Sequence, residues 1–558
     1  SSAAFSTEVG SVLHGILLPL QPDHGYGGMN ETTNKEYRYM NSNASITSDG
    51  TLVTTPAIYG TDSETLGHTQ PFERLMLRSD FQAKVDYNRT FGKHQVGGAL
   101  IYDMQSVVKN GRNNSQKNQS VLVNATYTYD NRYSLNAVFN RSGSAYLPDG
   151  DKYSNYPAVS AAWIVSNEAF MEKVTPINLF KIRASYGLSG WDGNLSHELW
   201  RQSYGSGGAG YNFGVNAGGQ SGGSEGDLPV IGLVAEKSQK ATFGFDLAAF
   251  DNRLNATVEG FYEKRSDILV SGANSTSGII GITVGQVNEG IYKYKGVDAS
   301  LSWNDKIGDF HYGIGASMSY LNTEVVNVNQ AYQEYDYLYT KGNRIGQMYG
   351  LEAIGFFNSQ QEINNSPQQT FSDVAPGDVK YKDQNGDNRI DEKDVVKMFG
   401  SSVPRFYFGF NLNFSYKRLE LSADFQGMTG VTVSLLNSPL YSPLVSNGNI
   451  SNTFLNEEIS WTPENKTNAT MPRLTTQENL NNYRASSLWY RDGSFLKLRN
   501  LLVAYTFPKS QTRFADLKVF VQGTNLFSLD NIHFADPEQL GIAYPSTRSY
   551  WAGIKLNF

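Results

Sequence analysis

Cysteine is absent from the 558 residues. That excludes disulfide frameworks, thiolate zinc sites and cysteine nucleophiles, although it names no compartment. A long apolar run is missing too: no stretch approaches ~18 consecutive apolar residues, and hydrophobic residues make up only 39% of the chain. Transmembrane helices are thereby excluded. Basic charge is scarce, with 46 Lys+Arg against 53 Asp+Glu and a net charge of -7, which argues against a nucleic-acid partner. Histidine is sparse as well: His14, His24, His68, His94, His197, His311 and His533 show no HExxH or paired metal-ligand spacing. No signal peptide opens the chain, so Ser1 reads as a processed end or the start of a fragment.

What the chain does have is aromatics, glycine and a period of two. Aromatic residues reach 13%, with 34 Tyr and 30 Phe, which suits strands whose ends lie in two interfacial girdles, and the 54 Gly suit irregular loops and close strand contacts. Val121, Val123, Ala125, Tyr127 and Tyr129 alternate with Leu122, Asn124, Thr126 and Thr128; after a turn at 130–132, Tyr133, Leu135, Ala137 and Phe139 return. This is a hairpin with two chemically unlike faces. The pattern recurs at Ala241–Leu247 and Leu254–Tyr262 around Asp251–Asn252–Arg253, and at Val297–Trp303 and Phe310–Tyr320. It is clearest at Phe406, Phe408, Phe410, Leu412, Phe414 and Tyr416, which turn at Lys417–Arg418 into Leu419–Phe425.

The last ten residues, SYWAGIKLNF, alternate Tyr550, Ala552, Ile554, Leu556 and Phe558 with polar or small residues and end on an aromatic, as the strand closing a barrel wall would. Tight turns are expected near 88–95, 130–132, 251–253, 304–308 and 417–418, and long polar loops near 25–70, 190–236, 266–292, 323–404 and 429–493. Short turns on one side and long loops on the other are the sidedness of outer-membrane barrels, whereas a sandwich would not sort its loops so. Counting back from Phe558 gives about 15 strands from residue 74 onward and a weak candidate near 5–20, roughly 16 in all. That count requires that 344–357 not be a spanning strand. The fold class is all-β: an antiparallel transmembrane β-barrel in one domain, 1–558.

From Pro376 to Gly430 the chain reads PGDVKYKDQNGDNRIDEKDVVKMFGSSVPRFYFGFNLNFSYKRLELSADFQGMTG. Further blocks are YNRTFGKHQ at 87–95, NRSGS at 140–144, YPAVSAAWIVSNEAFM at 156–171, FKIRASYGLSG at 180–190 and NEGIYKYKGVDASLSW at 288–303. They continue with SFLKLRNLLVAYTFP at 494–508, VFVQGTNLF at 519–527 and YPSTRSYWAGIKLNF at 544–558. In order and spacing these resemble the SusC/RagA-type TonB-dependent transporters of outer membranes, from about residue 72 onward. The resemblance implies a portion of a 22-stranded barrel, with the plug and first strands not in this chain. It further implies active import of a nutrient oligomer, an oligosaccharide or oligopeptide, with a SusD-like surface lipoprotein over the outer mouth and TonB acting through the missing plug region. The remaining partner is outer-membrane lipid. The alternatives are a passive porin or adhesin barrel, and a soluble all-β carbohydrate-active enzyme.

Few residues carry site chemistry. The string DQNGDNRIDEKD places oxygens at loop positions one, three, five, nine and twelve, Asp383, Asn385, Asp387, Asp391 and Asp394, with the Arg389 carbonyl at seven. This spacing resembles EF-hand and dockerin-type calcium loops, with Asn388 where glycine is usual and Asp394 where the longer Glu is usual; the alternative is a solvated acidic turn ordered by its own Asx bonds. A structural calcium ion would stiffen an outer loop, and no other cofactor is expected. GSGGAG at 205–210 matches a dinucleotide fingerprint by letter but lacks the strand-to-helix context, and is expected to be flexible loop. Trp191, Asp192, Trp200 and Tyr204 lie in a long outer loop, where they could stack on and bond a sugar or peptide or simply pack the loop. No catalytic residue is proposed, and the chain is read as not an enzyme.

Overall fold

The computed structural model describes residues 76–109, 115–196, 198–212, 219–272, 284–436, 459–475, 479–532, 535–539 and 546–558, together with Ile279 and strand segments between 4 and 69. Fifteen long strands follow one another in a single antiparallel sheet: β1 (Met76–Phe91), β2 (His94–Lys109), β3 (Ser115–Tyr129), β4 (Tyr133–Ser144), β5 (Tyr153–Ile164), β6 (Ile177–Trp191), β7 (Glu236–Ala249), β8 (Leu254–Ser271), β9 (Gln286–Ile307), β10 (Phe310–Asn327), β11 (Phe406–Tyr416), β12 (Leu419–Thr429), β13 (Phe495–Phe507), β14 (Asp516–Asp530) and β15 (Ser549–Asn557). Each pairs with the strand before and after it. Ahead of β1, His14–Leu17 and Leu20–Gly25 pair in succession along it, which makes a sixteenth position in the wall.

Register keeps the two faces apart. Phe410 faces Ala316 on one side and Phe425 on the other, Leu412 faces Ile314 and Ala423, and Phe414 faces Tyr312 and Leu421. The intervening residues Gly409, Asn411 and Asn413 meet Ser317, Gly315 and Gly313 on β10. Because side chains alternate strictly, a one-residue slip would exchange the faces along the whole strand. None of Phe406, Phe408, Phe410, Leu412 and Phe414 is buried, and no second sheet packs over them among the described residues. Among the described residues this is a single-layer wall, without the two-layer packing of a sandwich. No helix is long and apolar enough to cross a membrane.

The tightest turns lie at one end of the wall, where 165–176 and 508–515 are the longer connections. Gly92–Lys93 joins β1 to β2, Asp130 to Arg132 joins β3 to β4, Gly308–Asp309 joins β9 to β10, and Lys417–Arg418 joins β11 to β12. Asp130 and Asn131 take φ of 51° and 52°, the left-handed pair that matches the twist of a tight hairpin and that Asp and Asn tolerate best. Aromatics crowd this end of the apolar face: Tyr133 stacks on Trp163 at 6.4 Å, Phe250 leans on Trp303 at 5.9 Å, and Phe310 stacks on Phe414 at 6.0 Å. They form the girdle expected at a membrane interface.

At the other end the connections are long, with differences from the expected bounds. β8 runs to Ser271 and β9 begins at Gln286, so the loop placed at 266–292 contracts to 272–285. The turn placed at 304–308 moves to 308–309 because β9 keeps pairing through Ile307. Region 25–70 contains two nested hairpins, Thr32–Asn34 with Gly67–Thr69 and Tyr39–Ile46 with Leu52–Tyr59; its other residues lie outside the described ones. GSGGAG is strand rather than flexible loop, since Tyr204–Asn212 pairs with Gly219–Glu225 through backbone bonds that need no side chains. Residues 344–357 do not span: Gln347–Gly350 and Ala353–Phe356 pair with Val396–Ser401 and Val379–Tyr381 inside the outer loop.

The face assignment is open to test by paired substitutions one residue apart. Leu412→Lys should destabilise folding into lipid vesicles by about 2–4 kcal/mol, while Asn413→Lys should stay within about 0.5 kcal/mol of the parent. The measurement is the urea midpoint of vesicle-folded protein.

Candidate functional site at the polar face and long-loop end

The polar face of the wall is built from small and charged side chains. Asn255, Thr257, Ser300, Ser302, Ser317, Asn411 and Asp424 line a groove of about 420 Å³ across β8 to β12. Gly315 belongs here for a steric reason: a side chain at that position would collide with Asn411. Several cations of this face are matched. Arg183 pairs with Asp246 at 3.4 Å and with Glu259; Arg265 pairs with Glu263 at 2.6 Å and with Glu236 at 3.7 Å; Lys518 pairs with Glu420 at 2.5 Å. Amides continue the pattern, with Gln522 donating to Asn500 at 2.7 Å and Asn500 to Asp424 at 3.2 Å. Such a surface is wettable and chemically fixed, as a lumen must be.

Over the long-loop end, the described residues of 328–404 and 430–494 fold together rather than hanging as separate loops. Leu351, Val379, Tyr381 and Ile390 form one apolar cluster and Leu435, Met471 and Trp489 another, with Leu488 packed against both. At the junction Asp378 is 0% exposed. Arg473 grips it with two bonds of 2.7 and 3.1 Å, Asn479 and Asn482 donate to it at 3.1 and 2.8 Å, and the Ala375 amide donates at 2.8 Å. A buried carboxylate is tolerable only when its lone pairs are satisfied in this way. Asn481 extends the network, accepting from Gln369 at 2.7 Å and donating to the Val379 carbonyl at 3.0 Å, while the Tyr381 hydroxyl donates to its backbone oxygen at 2.7 Å. Burial pushes the Tyr381 hydroxyl pKa far up, so it stays a donor. Nothing in the sequence period marks these residues; the signal available was the density of Asn in ENLNNYR.

The four aromatic and acidic residues singled out from sequence do not converge. Trp191 ends β6 on the polar-face parity of Arg183 and Ser185 and is 53% exposed; Tyr204 begins the Gly-rich hairpin and is 72% exposed. Trp200 packs instead against the cluster of Leu147, Leu195, Val230 and Leu233, with the Arg201 guanidinium 4.3 Å from its ring centre. Asp192 accepts from Asn118 at 3.1 Å. Two of the four thus hold the loop together, and two present free ring surface.

In the acidic loop, carboxylates turn onto backbone amides. Asp383 accepts from Gly386 at 2.7 Å and Asn388 at 2.9 Å, Asp387 from Arg389 at 2.9 Å, and Asp391 from Lys393 at 2.9 Å. Asp394, fully buried, accepts from Gln384 at 2.8 Å and Asp391 at 2.9 Å, while Asn385 caps Asp387 at 3.0 Å. Asn388 adopts φ 63°, the left-handed backbone that its side chain tolerates. Among the described residues no three acidic or histidine side chains come together as a metal would require. The geometry is that of a turn ordered by its own side chains.

One buried cation anchors the last long loop to the wall. Lys497 on β13, its side chain 4% exposed, bonds Asp536 at 2.5 Å and Glu538 at 2.7 Å, and Arg499 bonds Glu538 at 2.5 Å. Burial alone would raise both carboxyls. Lys497, Ser546 and the Glu538 amide outweigh it at Asp536, and Arg499 and Lys497 at Glu538, so both sit below their ordinary range. Carboxyls depressed in the folded state stabilise above their unfolded pKa and lose that contribution as pH falls through the folded one. Acidification below about pH 4 should therefore free this loop, read as faster hydrogen exchange at the Glu538 amide, which bonds Asp536 at 2.9 Å. At the junction, Asp378→Asn turns an acceptor into a partial donor among the four groups that donate to it, and should cost the loop unit roughly 3–5 kcal/mol. Limited proteolysis within 328–494 should then become rapid while the heat-modifiable mobility of the wall is unchanged.

No protein-family model matches the chain. Among curated proteins it is 28% identical to the TonB-dependent receptor P26 of Formosa agariphila over 461 residues, covering 77% of this chain and 45% of that protein. It is 26% identical to the TonB-dependent receptor P3 of the same organism, covering 85% and 51%, and 22% identical to the TonB-dependent receptor SusC of Bacteroides thetaiotaomicron, covering 77% and 43%. The chain spans about half the length of the curated relatives it matches. Among solved structures the RagAB peptide transporter superposes with a TM-score of 0.70 at 18% identity, covering 87% of this chain and 56% of that one, which shows the fold. In sequence this chain is similar to TonB-dependent receptors, SusC among them, and its fold is that of the β-barrel wall in the RagAB transporter.

Proposed function

We propose that the chain supplies wall and outer loops to a TonB-dependent active importer of a nutrient oligomer, an oligosaccharide or oligopeptide. The observation that carries this reading is the one-sidedness of the molecule: a polar-lined wall, with its tightest turns on one side and a folded loop unit on the other. A passive pore has no need of a carboxylate-centred, fully bonded cap. The names of the curated relatives support energy coupling through TonB, and the solved peptide transporter is one precedent for an oligomeric cargo. A SusD-like surface lipoprotein would cover the long-loop end. No covalent chemistry is assigned.

Trp191 and Tyr204 are the proposed oligomer contacts, offering exposed ring faces at the mouth. Tyr550, Ile554, Leu556 and Phe558 are the proposed closing strand: β15 pairs with β14, and its far edge pairs with no strand among the described residues, leaving it ready for the first strand of a complete barrel.

Uptake of labelled peptide and glycan pools by cells carrying the intact gene decides the matter. Import of one pool should vanish on deleting TonB or collapsing the proton gradient, and uptake that survives both would establish a passive pore. In binding assays with the imported pool, Trp191→Ala with Tyr204→Ala should weaken capture roughly 2- to 10-fold.

A further inference from the structure

The lipid-facing side of the wall is apolar over most of its height but turns basic at the long-loop end of β8 and β9. Lys264 and Lys293 are direct cross-strand partners, and Lys295 lies diagonally beside them, opposite Tyr262. Like charges directly opposed in a sheet, with Cβ atoms about 5 Å apart, destabilise it unless a counter-charge sits between them. The polar face supplies such counter-charges at Arg183, Arg265 and Lys518. Here Glu324 of β10, 4.0 Å from Lys293, is the one acid in reach among the described residues, and Lys264 and Lys295 have no carboxylate within 4.0 Å.

Height fixes what these ammonium groups meet. A tilted strand crosses the hydrocarbon in about 9–11 residues. Counted outward from Trp303 in the aromatic girdle, ten residues reach Lys293, and ten from Leu254 reach Lys264. The three lysines therefore stand at the outer boundary of the hydrocarbon, at the level of headgroups. The same parity carries Lys117 and Arg141 near the long-loop ends of β3 and β4. There the Arg141 guanidinium lies 5.6 Å from the Tyr153 ring centre, beside a groove of about 420 Å³ floored by Phe81 and Met104.

We infer that this rim binds the phosphate groups of a phosphorylated glycolipid in the outer leaflet. A phosphodiester headgroup brings a single negative charge to three clustered cations. A phosphomonoester on a sugar brings about 1.5 to 2, and the sugar hydroxyls meet Gln239 and Asn322, which the register places opposite Lys264 and Lys295. Acyl chains then continue down the apolar band of Val297, Leu301 and Tyr262. The inference rests on the wall facing lipid and is independent of what the protein imports.

The test uses the full chain in nanodiscs containing a phosphorylated glycolipid, its enzymatically dephosphorylated form, or phosphatidylglycerol, with retained lipid counted by native mass spectrometry. The parent should retain the phosphorylated glycolipid selectively, and each of Lys264→Gln, Lys293→Gln and Lys295→Gln should lower its apparent affinity about five-fold. Lys240→Gln, on the polar face, should leave it unchanged. Heat-modifiable mobility checks folding; should Lys264→Gln or Lys293→Gln fail that check, Lys295→Gln, at an exposed position without an ion pair, supplies the reading. Equal retention by the variants, or of the dephosphorylated glycolipid, would overturn the assignment. Equal retention of phosphatidylglycerol would overturn it too, by reducing the rim to a general anionic surface.

Discussion

Everything in this molecule depends on the pairing register of the wall. A backbone amide in hydrocarbon has no water to bond, so each strand must give its donors and acceptors to two neighbours, and once it does, the side-chain period of two decides which residues meet lipid. Phe410, Leu412 and Phe414 can face outward only because Asn411 and Asn413 face inward at the same register. Register shifts interrupt the wall at few places: mid-strand near Asp424 and Phe425, near Leu498 and Asn500, toward the long-loop ends of β8 and β9, and at Ile177–Leu179 where β6 begins.

The two ends of the wall solve different problems. At the tight-turn end, reversal in two to four residues demands left-handed backbone, met by Gly92, Asp130, Asn131, Gly308 and Lys417, and the flanking aromatics mark the interface. At the other end the chain must leave the sheet for dozens of residues and remain ordered in water. It does so with small apolar clusters around an ion pair whose every lone pair is used, an arrangement that specifies one packing because any other would strand a charge.

Much of the wall was legible in sequence because its constraint is local. Alternation at 121–139, 241–262 and 406–425 names the strands and their faces, and Asp, Asn and Gly name the turns. Strand ends were less legible: β8 and β9 extend past the hydrocarbon into Arg265–Ser271 and Gln286–Tyr292, where polar residues erase the contrast between faces although the ladder persists. The loops were least legible. Asp378 and Arg473 are 95 positions apart, and Trp200 and Asp192 read equally well as ligand contacts or as packing until the partners Leu233 and Asn118 are seen. In the acidic loop the spacing of the carboxylates was legible, whereas the turn amides they accept from were not.

The bond from Asp378 to Arg473 joins two chain segments that leave and rejoin the wall at four separate strand ends, those of β10, β11, β12 and β13. Because Asn479, Asn481 and Asn482 of the second segment are tied to Asp378, Tyr381 and Val379 of the first, neither can peel away without exposing the shared carboxylate. Displacement at this mouth is accordingly the swing of a single block on four stems, all or none, and a molecule touching one segment acts mechanically on both.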